Sequence, residues 1–275
     1  MLDRPFFSQS SATPFVQWAG GKRGIISKIN RYLPLNITYY HEPFVGGGAV
    51  FFAFQHRIKY AVLADLNAEL VTAYHAVKDH TEKLIAALNR HKDKHHQDTG
   101  YYMKVREWSP KGLVNIAARF LYLNKTCYNG LYRVNKSGQF RVPKGDKKNP
   151  GVCNPINLRS TARVLKKATI RTGQFDESIT PQKGAFVYCD PPYDGGSFTD
   201  YQPEGFDQED QTRLKECVDR WTKQGVSVMV SNADTPFIRN LYANYTQHLL
   251  IAPRKISGKN GIKKVTEVLI TNYTA

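Results

Sequence analysis

The sequence predicts an α/β protein: a doubly wound, mostly parallel sheet, interrupted by an inserted, mainly helical subdomain that contains a β-hairpin. Three observations predict it. Short apolar runs rich in β-branched and aromatic residues alternate with helical patterns at both ends of the chain. A glycine-rich turn follows the first clear strand, and the next strand closes on an acid, Asp65. The stretch from Asp65 to Asp190 is about twice as long as a plain α/β layout needs.

Residues 1–14 are polar and Ser-rich and are expected as a mobile tail. "FVQWAGGKRGIISKINRYLP" predicts an apolar entry, a Gly-Gly turn and a helix from about Lys22 to Tyr32. Ile25, Ile26, Ile29 and Leu33 form its apolar stripe, and Pro34 stops it. "YYHEPFVGGGAVFFAF" reads as strand, glycines and helix. "KYAVLADLNAEL" reads as a strand ending on Asp65 and a helix from near Asn67. Together they make a β-α-β unit of Rossmann type. Gly46 and Gly48 stand at its first turn, and Asp65 falls near the interval of about 20 residues usual for a ribose-binding acid. Such a site takes an adenosine-bearing ligand. The P-loop Lys-Ser/Thr is missing, which argues against a triphosphate.

The second half resumes the style. "AFVYCD" is a strand, "QEDQTRLKECVDRWTKQG" a helix closed by Gly225, and "VSVMVSN" and "VTEVLITNY" are further strands. Between the halves lie the helical patterns "EKLIAAL" and "NIAARFLYL", then the basic, irregular "NKTCYNGLYRVNKSGQFRVPKGDKKNP". Its "NKSG" is a hairpin signal. From Arg119 to Thr172 the only acid is Asp146, and Tyr128, Tyr132 and Phe140 are interleaved with the Lys and Arg. One-sided charge with recurring aromatics predicts a nucleic-acid-facing insert; a solvated loop anchored by aromatics is the plainer alternative. The predicted organisation is therefore residues 15–75 and 155–275 as one domain, with 76–154 inserted.

Composition narrows the class. The 275 residues carry 39 Lys+Arg against 23 Asp+Glu, a formal net charge of +16, which suggests a polyanionic partner, nucleic acid before membrane. No apolar run is long enough to span a bilayer, and no secretory signal pattern opens the chain, so a cytoplasmic, nucleoid-associated protein is expected. Cys127, Cys153, Cys189 and Cys217 form no C-x-x-C pair and read as reduced thiols. His91, His95 and His96 in "RHKDKHHQD" read as a solvated helix end or loop rather than a metal site. Neither a metal nor an oligomer is required.

"AFVYCDPPYDGG" raises the sharpest question. Pro191 and Pro192 cannot donate to a sheet ladder, so the strand must end on Asp190. Pro192 pushes Pro191 toward extended geometry. The product is a stiff ledge that presents a carboxylate, a carbonyl without a local donor and the ring of Tyr193.

"FVQWAGGKR", "EPFVGGG", "ADLNAEL", "NKTCYNGLYRVNKSGQFRVPKG", "VYCDPPY" and "VTEVLITNY" occur in that order. The set, spanning nearly all of the chain after residue 14, resembles the Dam-like N6-adenine (D12 class) DNA methyltransferases of bacteria and their phages. The resemblance implies a Rossmann-like methyltransferase domain and double-stranded DNA as partner. It implies an S-adenosylmethionine site at Trp18, Lys22, Phe44, Gly46, Gly48, Asp65 and Asp190, with Phe175 of "GQFDES" a weaker match. It places base reading on Tyr128, Asn129, Leu131, Arg133 and Pro143, with Asn135 and Arg141 beside them. Gln17 stands where enzymes specific for GATC carry a lysine, and "GDKKNP" lacks their downstream tyrosine, so the implied site is GATC or a close relative.

The resemblance also implies the chemistry. Adenine N6 is a poor nucleophile, and in a duplex it is out of reach until the base flips. Asp190 and the Pro191 carbonyl would accept its two hydrogens, and Tyr193 would stack on the base at roughly 1–3 kcal/mol. N4-cytosine methylation, a DNA-binding module that has lost catalysis, and RNA or protein methylation are the competing readings.

Overall fold

A computed structural model describes residues 12–135, 137–195, 205–255 and 262–274. Seven strands form one sheet: β1 (Ile37–Glu42), β2 (Ile58–Asp65), β3 (Ala168–Thr172), β4 (Phe186–Cys189), β5 (Ser227–Ala233), β6 (Thr246–Lys255) and β7 (Ile262–Thr271). Their order is β3-β2-β1-β4-β5-β7-β6. The first five are parallel, and β7 lies antiparallel to both β5 and β6. The helices are α1 (Ile26–Asn30), α2 (Ala49–Phe54), α3 (Ala68–Asp79), α4 (Thr81–Gln97), α5 (Tyr101–Glu107), α6 (Leu113–Thr126), α7 (Pro155–Leu165), α8 (Gln208–Lys223) and α9 (Pro236–Leu241). This is the expected doubly wound α/β sheet.

Each face of the sheet buries its own core. One joins Phe51, Tyr74, Phe120 and Leu165 of α2, α3, α6 and α7. The other joins Leu214, Trp221 and Ile238 of α8 and α9 with Val187 and Val230. Central β4 is buried at all four residues because helices cover both faces, which is why it reads as a continuous apolar run. The helix expected over Lys22–Tyr32 is a 3-10 turn, Lys22–Ile25, followed by α1. Ile25 interrupts it, with φ −125° and ψ 7°, yet all four residues of the expected stripe are buried.

The structure bears on several further expectations. Within the expected tail, Ala12 is buried, and Thr13 exchanges hydrogen bonds with Asn157: its backbone N–H donates to Oδ1 and its carbonyl accepts from Nδ2, both at 3.0 Å. Residues 1–11 of that tail lie outside the described residues. α3 spans residue 76, and helices α4 and α6 pack into the core on one face of the sheet. The expected hairpin forms no strand ladder. It closes through two isolated antiparallel bridges, Val134–Phe140 and, at its base, Cys127–Lys144, and the Arg141 N–H donates to the Arg133 carbonyl at 2.9 Å. Pro143 has no N–H with which to extend it. His91 is buried against Tyr101 and Tyr122 instead of being solvated, and its imidazole pKa is lowered by burial to about 4. The four cysteines are free thiols. Among the described residues no helix is long and apolar enough to cross a membrane, and no cluster of His, Cys, Asp or Glu is fit to hold a metal.

Candidate active site

In an open parallel sheet, ligands bind beyond the carboxyl ends of the strands, at the point where strand order reverses. Here that point lies between β1 and β4. β1 ends on Glu42, β2 on Asp65, and β4 runs into Asp190. A cavity of about 1450 Å³ opens over these three ends.

The loop before α1 supplies one wall. Lys22 turns inward, donates to the Gly20 carbonyl at 2.7 Å and meets Asp190 Oδ1 at 2.7 Å. Its ammonium also lies 4.8 Å from the centre of the Tyr193 ring. Trp18 forms an aromatic wall and stacks on Tyr132 at 5.9 Å. Gly46, after β1, has φ +46°, and a side-chain Cβ there would fall 2.6 Å from Trp18 Cδ1. Only glycine satisfies both conditions. Gly48, also left-handed at φ +66°, faces the Tyr74 hydroxyl. Phe44 stacks on Phe175 at 5.3 Å and forms a second aromatic wall.

Asp65 braces the site. Its Oδ2 accepts from the Gly46 N–H and its Oδ1 from the Asn67 N–H, each at 2.9 Å. Burial raises its pKa, and those N–H donors oppose the rise. A carboxylate has about four lone-pair sites, so two bonds leave acceptor capacity toward the cavity it lines. Glu42 is buried, and burial holds its carboxyl well above the usual range, although the Tyr40 hydroxyl donates to it at 2.8 Å. The Tyr193 hydroxyl donates to buried Glu267 on β7 at 2.8 Å. Its phenol is held well above its ordinary pKa, first by burial and then by Asp190 and Glu267.

The cavity thus collects Gln17, Trp18, Lys22, Phe44, Gly46 and Gly48. It also collects Asp65, Phe175, Asp190, Pro191 and Tyr193, with Asn129 at its margin. Tyr128, Leu131, Arg133, Asn135, Arg141 and Pro143 lie outside it. Tyr128, Arg133, Arg141 and Pro143 are exposed, and the Tyr128 N–H donates to the Pro143 carbonyl at 2.9 Å. Asn135 is engaged within its own turn: Oδ1 accepts from the N–H groups of Ser137 and Gln139. Asn129, at φ +54°, is the one non-glycine residue with positive φ among the described residues.

The loop before α1 and the hairpin are tied together. Asn124 of α6 accepts from the Gln17 N–H at 2.8 Å and donates to the Gln17 carbonyl at 2.7 Å and the Gly130 carbonyl at 3.2 Å. Tyr132, beneath Trp18, donates to Glu69 at 2.8 Å, and Arg119 holds Glu69 at 3.1 Å. Sequence reasoning missed Glu42, Asn124 and Glu267, and noted Tyr132 only as an aromatic of the basic insert. Glu42 and Glu267 had a signal: each is an acid inside an apolar strand run.

A family model described as D12 class N6 adenine-specific DNA methyltransferase matches residues 18–256. Type II methyltransferase M.MjaIII of Methanocaldococcus jannaschii is 38% identical over 287 residues, covering 94% of this chain and 99% of its own. Type II methyltransferase M1.LlaDCHI of Lactococcus lactis subsp. cremoris is 36% identical over 274 residues, covering 94% and 95%. The DNA adenine methylase of Escherichia coli (strain K12) is 33% identical over 266 residues, covering 94% of each chain. Likeness of this extent, across both the sheet and the insert, settles the family: the chain belongs to the D12 class of N6 adenine-specific DNA methyltransferases.

Proposed function

We propose that the chain transfers a methyl group from S-adenosylmethionine to N6 of an adenine flipped out of duplex DNA, within GATC or a closely related site. The observation that carries this reading is the Lys22–Asp190 contact of 2.7 Å, with the two prolines directly after it, on the wall of the cavity. The cavity exceeds the roughly 300–1,000 Å³ of common small-molecule sites, which leaves room for a cofactor and an extruded base together. Its residues fit the cofactor. The Phe44–Phe175 stack suits a purine, Asp65 has acceptor capacity for ribose hydroxyls, and left-handed Gly46 and Gly48 keep Cβ atoms away from Trp18 and Tyr74. Trp18, Lys22, Phe44, Gly46, Gly48, Asp65 and Phe175 would hold it, with Asp190 beside them. When bound, S-adenosylmethionine supplies a methyl group on a positively charged sulfur.

The chain's own residues do the rest. Asp190 accepts one N6 hydrogen, and its other oxygen is fixed by Lys22. The Pro191 carbonyl, which has no donor among the described residues, accepts the second. Two acceptors on fixed axes favour a pyramidal nitrogen whose lone pair points away from both, and fixed positions supply most of the rate in an in-line transfer. Tyr193, held at its hydroxyl by Glu267, offers its ring to the base. In this reading residues 15–75 and 155–275 carry the transfer, and 76–154 carry recognition, with Tyr128, Asn129, Arg133, Arg141 and Pro143 exposed for the duplex and Leu131 half-buried beside them. Gln17 replaces the lysine of GATC enzymes, so the first base pair is where this site would depart from GATC.

The test is to express the chain in a methylation-deficient host and sequence its genome by a method that detects modified bases. N6-methyladenine in one short motif is expected. N4-methylcytosine, or no modified base, overturns the proposal.

A further inference from the structure

Two amides outside the motifs above reach the proline ledge. Gln211, in the first turn of α8, and Asn232, on β5, are both fully buried. Gln211 Nε2 donates to the Pro192 carbonyl at 2.9 Å. Asn232 Nδ2 donates to Gln211 Oε1 at 2.9 Å. Asn232 Oδ1 accepts from the N–H of Asp194 at 3.1 Å and of Ala233 at 2.8 Å. The chain of amides has only one polarity. The Pro192 carbonyl can only accept and the two backbone N–H groups can only donate, so the orientation of both amides is dictated by their ends. Thr235, the N-cap of α9, adds a bond from its hydroxyl to Asp194 Oδ2 at 2.6 Å.

The ledge is therefore gripped on both sides of Tyr193, at Pro192 and at Asp194. A buried glutamine and asparagine are tolerated only when their hydrogen bonds are made. On α8 Gln211 occupies the stripe of Leu214, Val218 and Trp221, where an apolar side chain would pack without that demand. With its carbonyl engaged, Pro192 also leaves Pro191 as the ledge's acceptor for substrate. We infer that Gln211 and Asn232 are positioning residues for methyl transfer: together they hold the Asp190–Tyr193 ledge where Asp190 and the Pro191 carbonyl meet N6. This rests on the function proposed above.

The test uses the full chain, radiolabelled S-adenosylmethionine and a duplex bearing the site that the wild type modifies. Single-turnover rates are measured at saturating cofactor and DNA for Gln211→Met, Asn232→Asp and the double variant. Gln211→Met keeps the length and removes the donor. Asn232→Asp keeps the acceptor for Asp194 and removes the donor to Gln211. Each single variant is expected to lose about 10- to 100-fold in rate, the scale of a displacement near 1 Å at the reacting groups. KM for both substrates should stay within about threefold, and the double variant should be no slower than the worse single, because the residues act in series. Rates within about twofold of wild type, losses confined to KM, or additive losses in the double variant overturn the inference. If Gln211→Met does not fold, Thr235→Val carries the test, with a loss of about 3- to 10-fold expected and an unchanged rate counting against the inference. A wild type that does not methylate adenine would instead sink the underlying function, and the same assay reads that first.

Discussion

Replacing Gly46 by alanine should damage the cofactor site through Trp18. The added Cβ would lie 2.6 Å from Trp18 Cδ1, 3.0 Å from Nε1 and 3.4 Å from Cγ. Gly46 cannot retreat, because its N–H is held by Asp65 at 2.9 Å and its carbonyl by the Tyr74 hydroxyl at 3.0 Å. The indole must move, and it is stacked on Tyr132, itself tied to Glu69. Two costs add. Alanine at φ +46° costs about 1–2 kcal/mol, and overpacking costs typically about 1–3 kcal/mol. The backbone cost appears in the stability of the free protein. The overpacking cost falls on the Trp18 wall and weakens S-adenosylmethionine by about 5- to 100-fold, since about 1.4 kcal/mol is tenfold in affinity. Titration calorimetry with the cofactor and thermal melts with and without it measure the two parts. Gly47→Ala is the internal control: its Cβ would meet nothing nearer than Trp18 Cβ at 3.4 Å, and its φ is not in the left-handed region, so both readings should stay near wild type. A Gly46→Ala protein with wild-type affinity and wild-type melting temperature would refute the reasoning.

Other perturbations separate the roles. Asp190→Asn should leave cofactor binding partly intact and cut the single-turnover rate by at least about a hundredfold, as loss of a preorganised electrostatic partner does; a wild-type rate would show that the charge is not used. Asp65→Ala should raise the cofactor Kd without changing which DNA is bound, and should also cost stability because Gly46 and Asn67 lose their acceptor; calorimetry with an unchanged Kd would count against it. Arg133→Ala should relax preference at a single base pair 3′ of the target adenine, the signature of a lost guanine contact worth about 1–3 kcal/mol; uniform weakening at every position would make Arg133 a phosphate contact instead. His41 and His91 are buried, and burial lowers each imidazole pKa from 6.5 to about 4. The unfolded chain takes up these protons as pH falls through 6.5 and the folded chain only near 4, so stability is lost as pH falls across that window and kept above it. Urea melts at pH 7 and pH 5 should show that loss, and His91→Phe should remove about one proton's share of the slope; an unchanged slope would contradict it.

Much of this protein was legible along the chain. The strand ends at Asp65 and Asp190, the glycines between β1 and α2, the stripe of Ile25, Ile26, Ile29 and Leu33, and the helix closed by Gly225 are local events. Each is set by side-chain period, by a proline that cannot donate, or by a glycine that can turn left-handed. The order of the motifs was enough to point to the family. What the sequence alone could not show is which distant polar groups meet. Gln211 lies on α8, Asn232 on β5 and Glu267 on β7, and they reach one segment, Asp190–Asp194, only because β4 lies beside β5 and β7 inserts antiparallel beyond it. The edge strands β3 and β6 were missed: β3 is five residues with only Ala168 and Ile170 apolar, and the apolar run Leu249–Ala252 of β6 is flanked by polar residues and interrupted by Pro253. That Asn135 accepts from the N–H groups of Ser137 and Gln139 was likewise visible only in the structure. The sequence determined the elements and the residues at their ends, since those follow from short-range sterics and periodicity. Strand order and register decided the pairing of buried donors with acceptors, since a hydrogen bond depends on distance in space and not on separation along the chain.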